Sequence, residues 1–268
     1  MFSPGSPSLK ITSPFNLNST FSGLNEISIS FFKTSVNNLL SLMAFIVCAI
    51  IFFLIFSIKR MSIMIIKEIE KGILHLSRND NRIATLIKKN RKCNLHPHND
   101  YFISLLGSII QQQLSIKAAD SIYGRFLDLT GKNPTPEIVL NLQNIQLRNC
   151  GLSNSKVKYV KDLSSKVINK EISLVNLDEK DEDEIITELT RVKGIGVWTV
   201  HMFLIFTLGR LNVLPTGDLG IKKSIKLNYN LRKMPTEKKV YDIARRNKWE
   251  PYCSIASWYL WASLDEKN

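Results

Sequence analysis

Residues 189–223, LTRVKGIGVWTVHMFLIFTLGRLNVLPTGDLGIKK, are the stretch that decides the predicted fold. The pattern predicts one helix over about residues 183–192 and a second over about residues 198–208; the second is apolar almost all round, which is typical of a buried helix. Between them, Gly194 and Gly196 permit the tight or left-handed backbone geometry that a side chain would resist. The sequence thus predicts two helices joined by a short glycine turn.

The glycine turn is suited to bind a phosphate, because backbone N–H groups at the start of a helix are free to bind anions. One helix later the chain has Pro215, Thr216, Gly217 and Asp218, a loop that ends in a single carboxylate. From spacing alone Asp218 is an ordinary helix N-cap, since a helical stretch follows from Leu219 and Asp is a favoured cap. The turn alone would be weak evidence of function, whereas the turn and this loop together are specific.

The combination resembles the signature of the helix-hairpin-helix/GPD superfamily of base-excision DNA glycosylases, and within it the 3-methyladenine DNA glycosylase II family. The resemblance covers about residues 64–264, and its motifs occur in the family's order. The matching blocks are Lys193–Thr199, Leu214–Gly220, Ile110–Ser115 with Lys117–Ala119, and Trp249–Tyr252 with Trp258–Trp261.

The chain is predicted to be all-α, with a multi-helix helix-hairpin-helix DNA glycosylase domain over residues 61–268. Apolar residues recur with a helical period from about Ile65 onward, and about 200 residues are enough to bury a core. We expect roughly eight to ten helices in this domain. Loops are predicted at Pro97 and at residues 133–136, 151–154 and 215–217.

By resemblance, Asp218 matches the catalytic aspartate of the superfamily. Breaking an N-glycosidic bond passes through an oxocarbenium-like sugar, which a carboxylate beside C1′ stabilises, and the same group can activate the attacking water. The resemblance also implies that Trp198, Met202 and Trp261 form the base pocket, with Trp258 as the alternative to Trp261 and ordinary core packing as the alternative for any tryptophan. Electron-rich rings suit an alkylated purine, which is cationic. Met202 occupies a position where relatives often have an aromatic residue, which leaves the lesion preference open.

The reaction is predicted to be hydrolysis without strand cleavage. Bifunctional relatives have a lysine two residues after the second hairpin glycine, where this chain has Trp198, and Lys193 precedes the hairpin. The resemblance therefore implies a monofunctional enzyme that releases 3-methyladenine or 7-methylguanine and leaves an abasic site. Two alternatives stay open: a glycosylase for another lesion, such as uracil or hypoxanthine, and a non-catalytic helix-hairpin-helix module that only binds DNA.

A base inside a duplex has to be extruded before it can react, and a protein side chain then fills the gap. The resemblance implies a wedge at Leu114, for which an ordinary buried leucine is the alternative, with Gln112 and Gln113 close to the DNA. The other DNA-binding residues that the resemblance implies lie in the hairpin or directly beside it: Lys193, Gly194, Ile195, Gly196 and Thr199.

The charge of the chain also indicates a polyanionic partner. The formal net charge is +13, of which residues 1–60 contribute only +3, because they have four basic side chains and one acidic side chain. Residues 222–248 hold ten Lys and Arg against Glu237 and Asp242. Such a run is often just a solvated helix face, but beside a helix-hairpin-helix it is expected to flank the DNA backbone and to make binding sensitive to salt. The expected partner is damaged double-stranded DNA, bound by a monomer inside the cell.

Cysteine and histidine spacing indicates no metal site. The four cysteines, Cys48, Cys93, Cys150 and Cys253, are scattered without a CxxC motif, so neither a disulfide framework nor a zinc site is expected. Some members of the superfamily carry a four-cysteine iron–sulfur loop near the C-terminus, where this chain has only Cys253. We expect no cofactor, and a monovalent cation at the hairpin carbonyls is left open.

The first 60 residues differ in composition from the rest. Residues 1–38 are rich in Ser, Asn, Phe and Thr, which is typical of disorder. Residues 39–58 are twenty residues without a charge, which predicts a membrane-spanning helix. Because a DNA repair enzyme has no obvious use for an anchor, the preferred interpretation is a start at Met61 or Met64, with the upstream part a gene-model extension. Membrane association is expected only if residues 39–58 are translated and inserted.

Overall fold

The computed structural model describes the backbone of residues 39–265, and their side chains except at residues 39–45, 51, 53–63 and 265. This part contains twelve α-helices and one π-helix and no strand. The α-helices are α1 Leu39–Asn79, α2 Asn81–Lys89, α3 Tyr101–Gln111, α4 Ile116–Leu129, α5 Pro136–Asn141, α6 Asn144–Asn149, α7 Asn154–Ile168, α8 Glu182–Leu189, α9 Val197–Met202, α10 Leu219–Asn228, α11 Glu237–Arg246 and α12 Cys253–Asp265, and the π-helix is Phe203–Thr207.

The all-α prediction is confirmed, and the predicted loops are found. The helices outnumber the expected eight to ten because several are only six residues long. Two of them, α5 and α6, are adjacent in sequence but separately capped: the Thr135 side chain accepts from Ile138 N, and Gln143 forms a capping box with Gln146. Sequence periodicity does not separate two helices joined by two residues.

The chain divides into two compact units, with a boundary after Glu68. In the unit formed by residues 6–68, the described part is the first portion of α1. The predicted disordered segment 1–38 lies outside the described residues, and so do most side chains of the apolar segment 39–58. Within the described part, no helix combines the length and hydropathy that a bilayer crossing requires.

The unit that begins at Ile69 contains all the other helices. Here α7 packs against α3, α5 and α6, and α12 packs against α2 and α10. The largest fully buried side chains are Trp249, Tyr259, Phe126 and Phe203. Full burial of a large apolar side chain stabilises the fold by roughly 1.5–3 kcal/mol. Helix α12 is buried along most of its length, which fixes the side chains that it presents to α10.

The first hairpin helix is shorter than predicted, and the second changes to a π-helix halfway along. Helix α8 begins after a capping box between Asp181 and Glu184 and ends at Leu189, and the turn then occupies three further residues that were expected to be helical. The second helix is α-helical only to Met202 and continues as the π-helix, where Leu208 N donates to Phe203 O at 3.0 Å. Such wider turns occur often at functional sites, and this one contains Phe206, whose ring contacts Trp261 of α12.

Candidate active site

Asp218 lies at the junction of the Pro-Thr-Gly-Asp loop and α10. It is the N-cap residue of that helix, with Oδ1 accepting a hydrogen bond from Ile221 N at 2.7 Å. Only 7% of Asp218 is exposed. The N-cap interpretation of this residue is therefore confirmed, and the cap itself fixes the orientation of the carboxylate.

Two tryptophans donate hydrogen bonds to the same carboxylate. Trp198 Nε1 donates to Asp218 Oδ2 at 2.6 Å, and Trp261 Nε1 donates to Oδ1 at 2.9 Å. With Ile221 N also on Oδ1, that oxygen has two partners, whereas Oδ2 has one among the described residues. A carboxylate oxygen accepts about two hydrogen bonds. The geometry therefore leaves Oδ2 as the oxygen that can accept from a further group.

The two indoles differ sharply in exposure. Trp261 is 3% exposed, whereas Trp198, which is in the first turn of α9, is 47% exposed. Trp258, the sequence alternative to Trp261, instead packs beneath Arg91, whose Cζ lies 5.7 Å from the ring centroid. The structure thus brings together Trp198 and Trp261 at Asp218, and not Trp258.

Phe206 is a site residue that the sequence reasoning missed. Its ring centroid lies 5.7 Å from that of Trp261. Met202 is half-buried and lies one turn after Trp198 on α9. Positions 198, 202 and 206 are each four residues apart, so helical spacing could have signalled Phe206 as a third residue on this face.

The two hairpin glycines have different structural requirements. Gly194 has φ +84°, and a Cβ there would overlap the ring of Tyr159 on α7. Gly196 has φ −103°, which any residue adopts, and a Cβ there would meet nothing within 4 Å among the described residues. The fold therefore demands glycine at position 194 but not at position 196.

Not every hairpin residue that was expected to bind DNA exposes its side chain. Ile195 and Thr199 are buried, so their side chains are not available to a partner. Lys193 is exposed, and its backbone N–H donates to Asp162 Oδ2 of α7 at 2.8 Å. The hairpin thus offers backbone atoms and one lysine rather than a row of side chains.

The loop between α3 and α4 lies beside the hairpin. Gln112 Nε2 donates to Gly194 O at 2.7 Å, so these two predicted DNA-binding segments are in direct contact. Gln113 is exposed and has a left-handed φ of +55°, whereas Leu114 is half-buried. The most exposed side chain of the three is therefore Gln113, one residue before the predicted wedge.

The basic run borders the loop that precedes Asp218. Glu237 is at the start of α11. Its Oε1 lies 3.6 Å from the position that a Cβ would occupy at residue 217, and 3.6 Å from Lys222 Nζ. Seven of the ten basic side chains in the run are exposed: Lys223, Arg232, Lys233, Lys238, Arg245, Arg246 and Lys248. This places positive charge on the elements that carry and follow Asp218.

The cysteines are free thiols, and burial raises the pKa of Cys93 and of Cys253 to about 12. Across the residues that the structure describes, no group of three or more His, Cys, Asp or Glu side chains lies close enough to hold a metal ion.

Comparison with known proteins agrees with this geometry. Residues 106–250 match the family described as HhH-GPD superfamily base excision DNA repair protein. The chain is 33% identical over 193 residues to the alkylbase DNA glycosidase-like protein mag2 of Schizosaccharomyces pombe, an alignment that covers 70% of this chain and 90% of the relative. 

Two solved structures share the fold. The 3-methyladenine DNA glycosylase Mag1 of Schizosaccharomyces pombe, in complex with abasic DNA, is 31% identical with a TM-score of 0.62 and covers 73% of this chain and 97% of its own. The DNA-3-methyladenine glycosidase of Bacillus halodurans is 32% identical with a TM-score of 0.65 and covers 73% and 91%. The family predicted from the hairpin and the Asp218 loop is confirmed: the chain belongs to the HhH-GPD superfamily of base excision DNA repair proteins.

Proposed function

We propose that this protein is a DNA glycosylase that hydrolyses the N-glycosidic bond of alkylated purines, 3-methyladenine and 7-methylguanine, in duplex DNA. The observation that carries the proposal is the buried Asp218 carboxylate with an indole on each oxygen. The names of the relatives support the substrate class, since both solved structures at 31% and 32% identity are described as 3-methyladenine enzymes.

The carboxylate supplies negative charge where the sugar becomes cationic. Loss of the base leaves an oxocarbenium-like ring, which a nearby carboxylate stabilises without forming a bond. The remaining acceptor position on Asp218 Oδ2 is then available to a water molecule that attacks C1′ and gives up a proton. The hydrogen bonds on Oδ1 hold the group in place, so that the same carboxylate serves both steps.

The aromatic side chains favour a cationic base. An alkylated purine carries positive charge, and a cation over the face of a tryptophan is attracted to it by roughly 0.5–2 kcal/mol. Trp198 is the exposed ring beside Asp218, whereas Trp261 is buried and contacts the ring of Phe206. Because such a base is also a good leaving group, the reaction does not require a strong general acid.

The two indole N–H groups are expected to contribute unequally to the rate. In Trp261→Phe, water cannot replace the lost donor at this buried position, and Asp218 Oδ1 keeps only Ile221 N. We expect base release to slow by roughly ten- to a hundredfold, since a hydrogen bond to a charged group contributes about 1.5–3 kcal/mol. In Trp198→Phe, water can replace the half-exposed donor, and we expect a smaller loss. Single-turnover rates of 7-methylguanine release measure both, and a larger loss in Trp198→Phe would contradict this ranking.

The full-length protein is expected to release 3-methyladenine and 7-methylguanine from alkylated duplex DNA and to leave the strand intact until alkali is added. Trp198 occupies the position of the lysine that forms a Schiff base in bifunctional relatives, so borohydride is expected to trap no covalent complex. Chromatography of the released bases, together with gel analysis of the strands, measures both results.

Other outcomes would select the alternatives. Release of hypoxanthine or uracil without alkylated purines would show a different lesion class, and tight DNA binding without any released base would favour a non-catalytic module. Strand cleavage without alkali would contradict the monofunctional mechanism.

We further propose that the protein acts as a monomer without a cofactor. Any cation at the hairpin would share Gly194 O with the Gln112 amide.

A further inference from the structure

Helix α7 holds both predicted DNA-contacting segments through three side chains on neighbouring turns. Lys156 contacts the α3–α4 loop, Tyr159 packs against Gly194, and Asp162 accepts from Lys193 N. These residues are three apart, and side chains at this spacing are neighbours on a helix surface. The distance from the first to the last is about 9 Å along the helix axis.

Lys156 fixes the beginning of the α3–α4 loop. Its Nζ donates to Ile110 O at 2.8 Å and to Gln112 O at 2.7 Å, which are carbonyls at the C-terminal end of α3. Cationic groups are favourable there, because the last carbonyls of a helix lack partners within the helix. Burial lowers the pKa of Lys156 from its ordinary value, as desolvation of an ammonium does.

The loop that Lys156 fixes contains the exposed residue Gln113 in a left-handed conformation. A non-glycine residue in this conformation is uncommon and persists where its surroundings impose it. Gln112, one residue earlier, has its carbonyl on Lys156 and its side-chain amide on Gly194 O. Gln112 is therefore held through both its carbonyl and its side chain, immediately before Gln113.

We propose that Lys156 is a positioning residue, which holds the α3–α4 loop in the conformation that enters the duplex and, through α7, at a fixed distance from the hairpin. The inference rests on the proposed function, since the loop matters only if the protein extrudes a base. Lys156 itself contacts protein carbonyls and not the reacting atoms. Its contribution is to the opening of the duplex rather than to attachment to the DNA backbone, which the hairpin provides.

The same helix supplies a matched control. Lys161 is also half-buried, and its Nζ donates to Leu140 O at 3.1 Å and Leu142 O at 2.7 Å, at the C-terminal end of α5. Lys156→Met and Lys161→Met therefore remove the same kind of contact from one helix. Only Lys156→Met removes it from the loop beside the hairpin.

The test uses the full-length protein and a duplex with a tetrahydrofuran abasic analogue opposite 2-aminopurine, whose fluorescence changes when the loop enters the gap. We expect Lys156→Met to lose most of this fluorescence response and to release 7-methylguanine roughly ten- to a hundredfold more slowly, while its affinity for undamaged duplex stays at the parent value. Lys161→Met is expected to match the parent in all three measurements.

The result that would overturn the inference is equal behaviour of the two variants, or a loss of undamaged-duplex affinity in Lys156→Met that accounts for the whole effect. A second substrate separates loop positioning from general damage: a 7-methylguanine placed opposite a gap needs less opening, so the rate defect of Lys156→Met is expected to shrink there. If the parent protein releases no base, the proposed function fails, and the fluorescence response still tests the role of Lys156.

Discussion

Asp218→Asn is expected to lower the rate of base release by roughly a hundred- to a thousandfold, the usual cost of removing a preorganised electrostatic contact to a transition state. The variant loses the negative charge that faces the developing sugar cation. The asparagine oxygen can retain Ile221 N and Trp261 Nε1, while its amide faces Trp198 Nε1. Because Trp198 is half-exposed and can move, the fold is expected to tolerate the substitution while DNA binding remains.

Asp80→Asn is the matched control for that experiment. Asp80 is also a buried helix N-cap: Oδ1 accepts from Arg82 N and Ile83 N, and Oδ2 accepts from Trp249 Nε1 at 2.7 Å and Tyr229 OH at 2.5 Å. Its replacement is expected to lower the free energy of unfolding by roughly 2–3 kcal/mol, because a buried indole N–H is left facing a donor. Activity per folded molecule should remain at the parent level.

The two variants together separate chemistry from stability. Urea unfolding measures the stability of each, and single-turnover release of 7-methylguanine measures the rate under conditions where both are folded. If Asp218→Asn retained the parent rate, the assignment of Asp218 would be wrong. If Asp80→Asn lost as much activity as Asp218→Asn, loss of a buried cap would explain both results and the carboxylate would have no special role.

Local pattern was sufficient to predict the hairpin and the Asp218 loop. Glycine spacing and an Asp before an apolar helical stretch are properties of neighbouring residues, and the structure has both elements within a few positions of the predicted bounds. The sequence did not indicate that the second half of the helix after the hairpin is a π-helix. An added residue in one turn leaves the apolar character of Phe203–Thr207 unchanged, so the pattern looks the same for both kinds of helix. Helical spacing could have placed Phe206 on the same face as Trp198 and Met202, but not its contact with Trp261.

The contacts that prepare the site could not be predicted from local pattern. Trp261 is 43 residues from Asp218 in sequence, and Lys156 is 44 residues from Gln112. Resemblance indicated that Trp261 lies at the pocket, but the hydrogen bond to Asp218 Oδ1 depends on how α12 packs against α10. Nothing in the local sequence indicated the contacts of Lys156, since a lysine near the start of a helix is more often a solvated side chain than a donor to buried carbonyls.

Gly194→Ala and Gly196→Ala are expected to give opposite phenotypes. Alanine at position 194 would need a left-handed backbone and would overlap the Tyr159 ring, so we expect the free energy of unfolding to fall by roughly 2–4 kcal/mol. Alanine at position 196 meets neither obstacle, and we expect stability to stay within about 1 kcal/mol of the parent. The fold alone therefore does not explain a glycine at position 196.

A partner that approaches the backbone explains the second glycine. Gly196 is the N-cap of α9, and its exposed side lies where N–H groups at the helix start are free to bind a phosphate. A methyl group there would hold the phosphate away, and the loss of one hydrogen bond to a charged group is expected to weaken DNA binding by roughly ten- to a hundredfold. Urea unfolding and fluorescence anisotropy with undamaged duplex measure the two effects. Parent affinity in Gly196→Ala would show that the hairpin does not contact DNA through this face, whereas a stable fold with weakened binding would assign the phosphate contact to the start of α9.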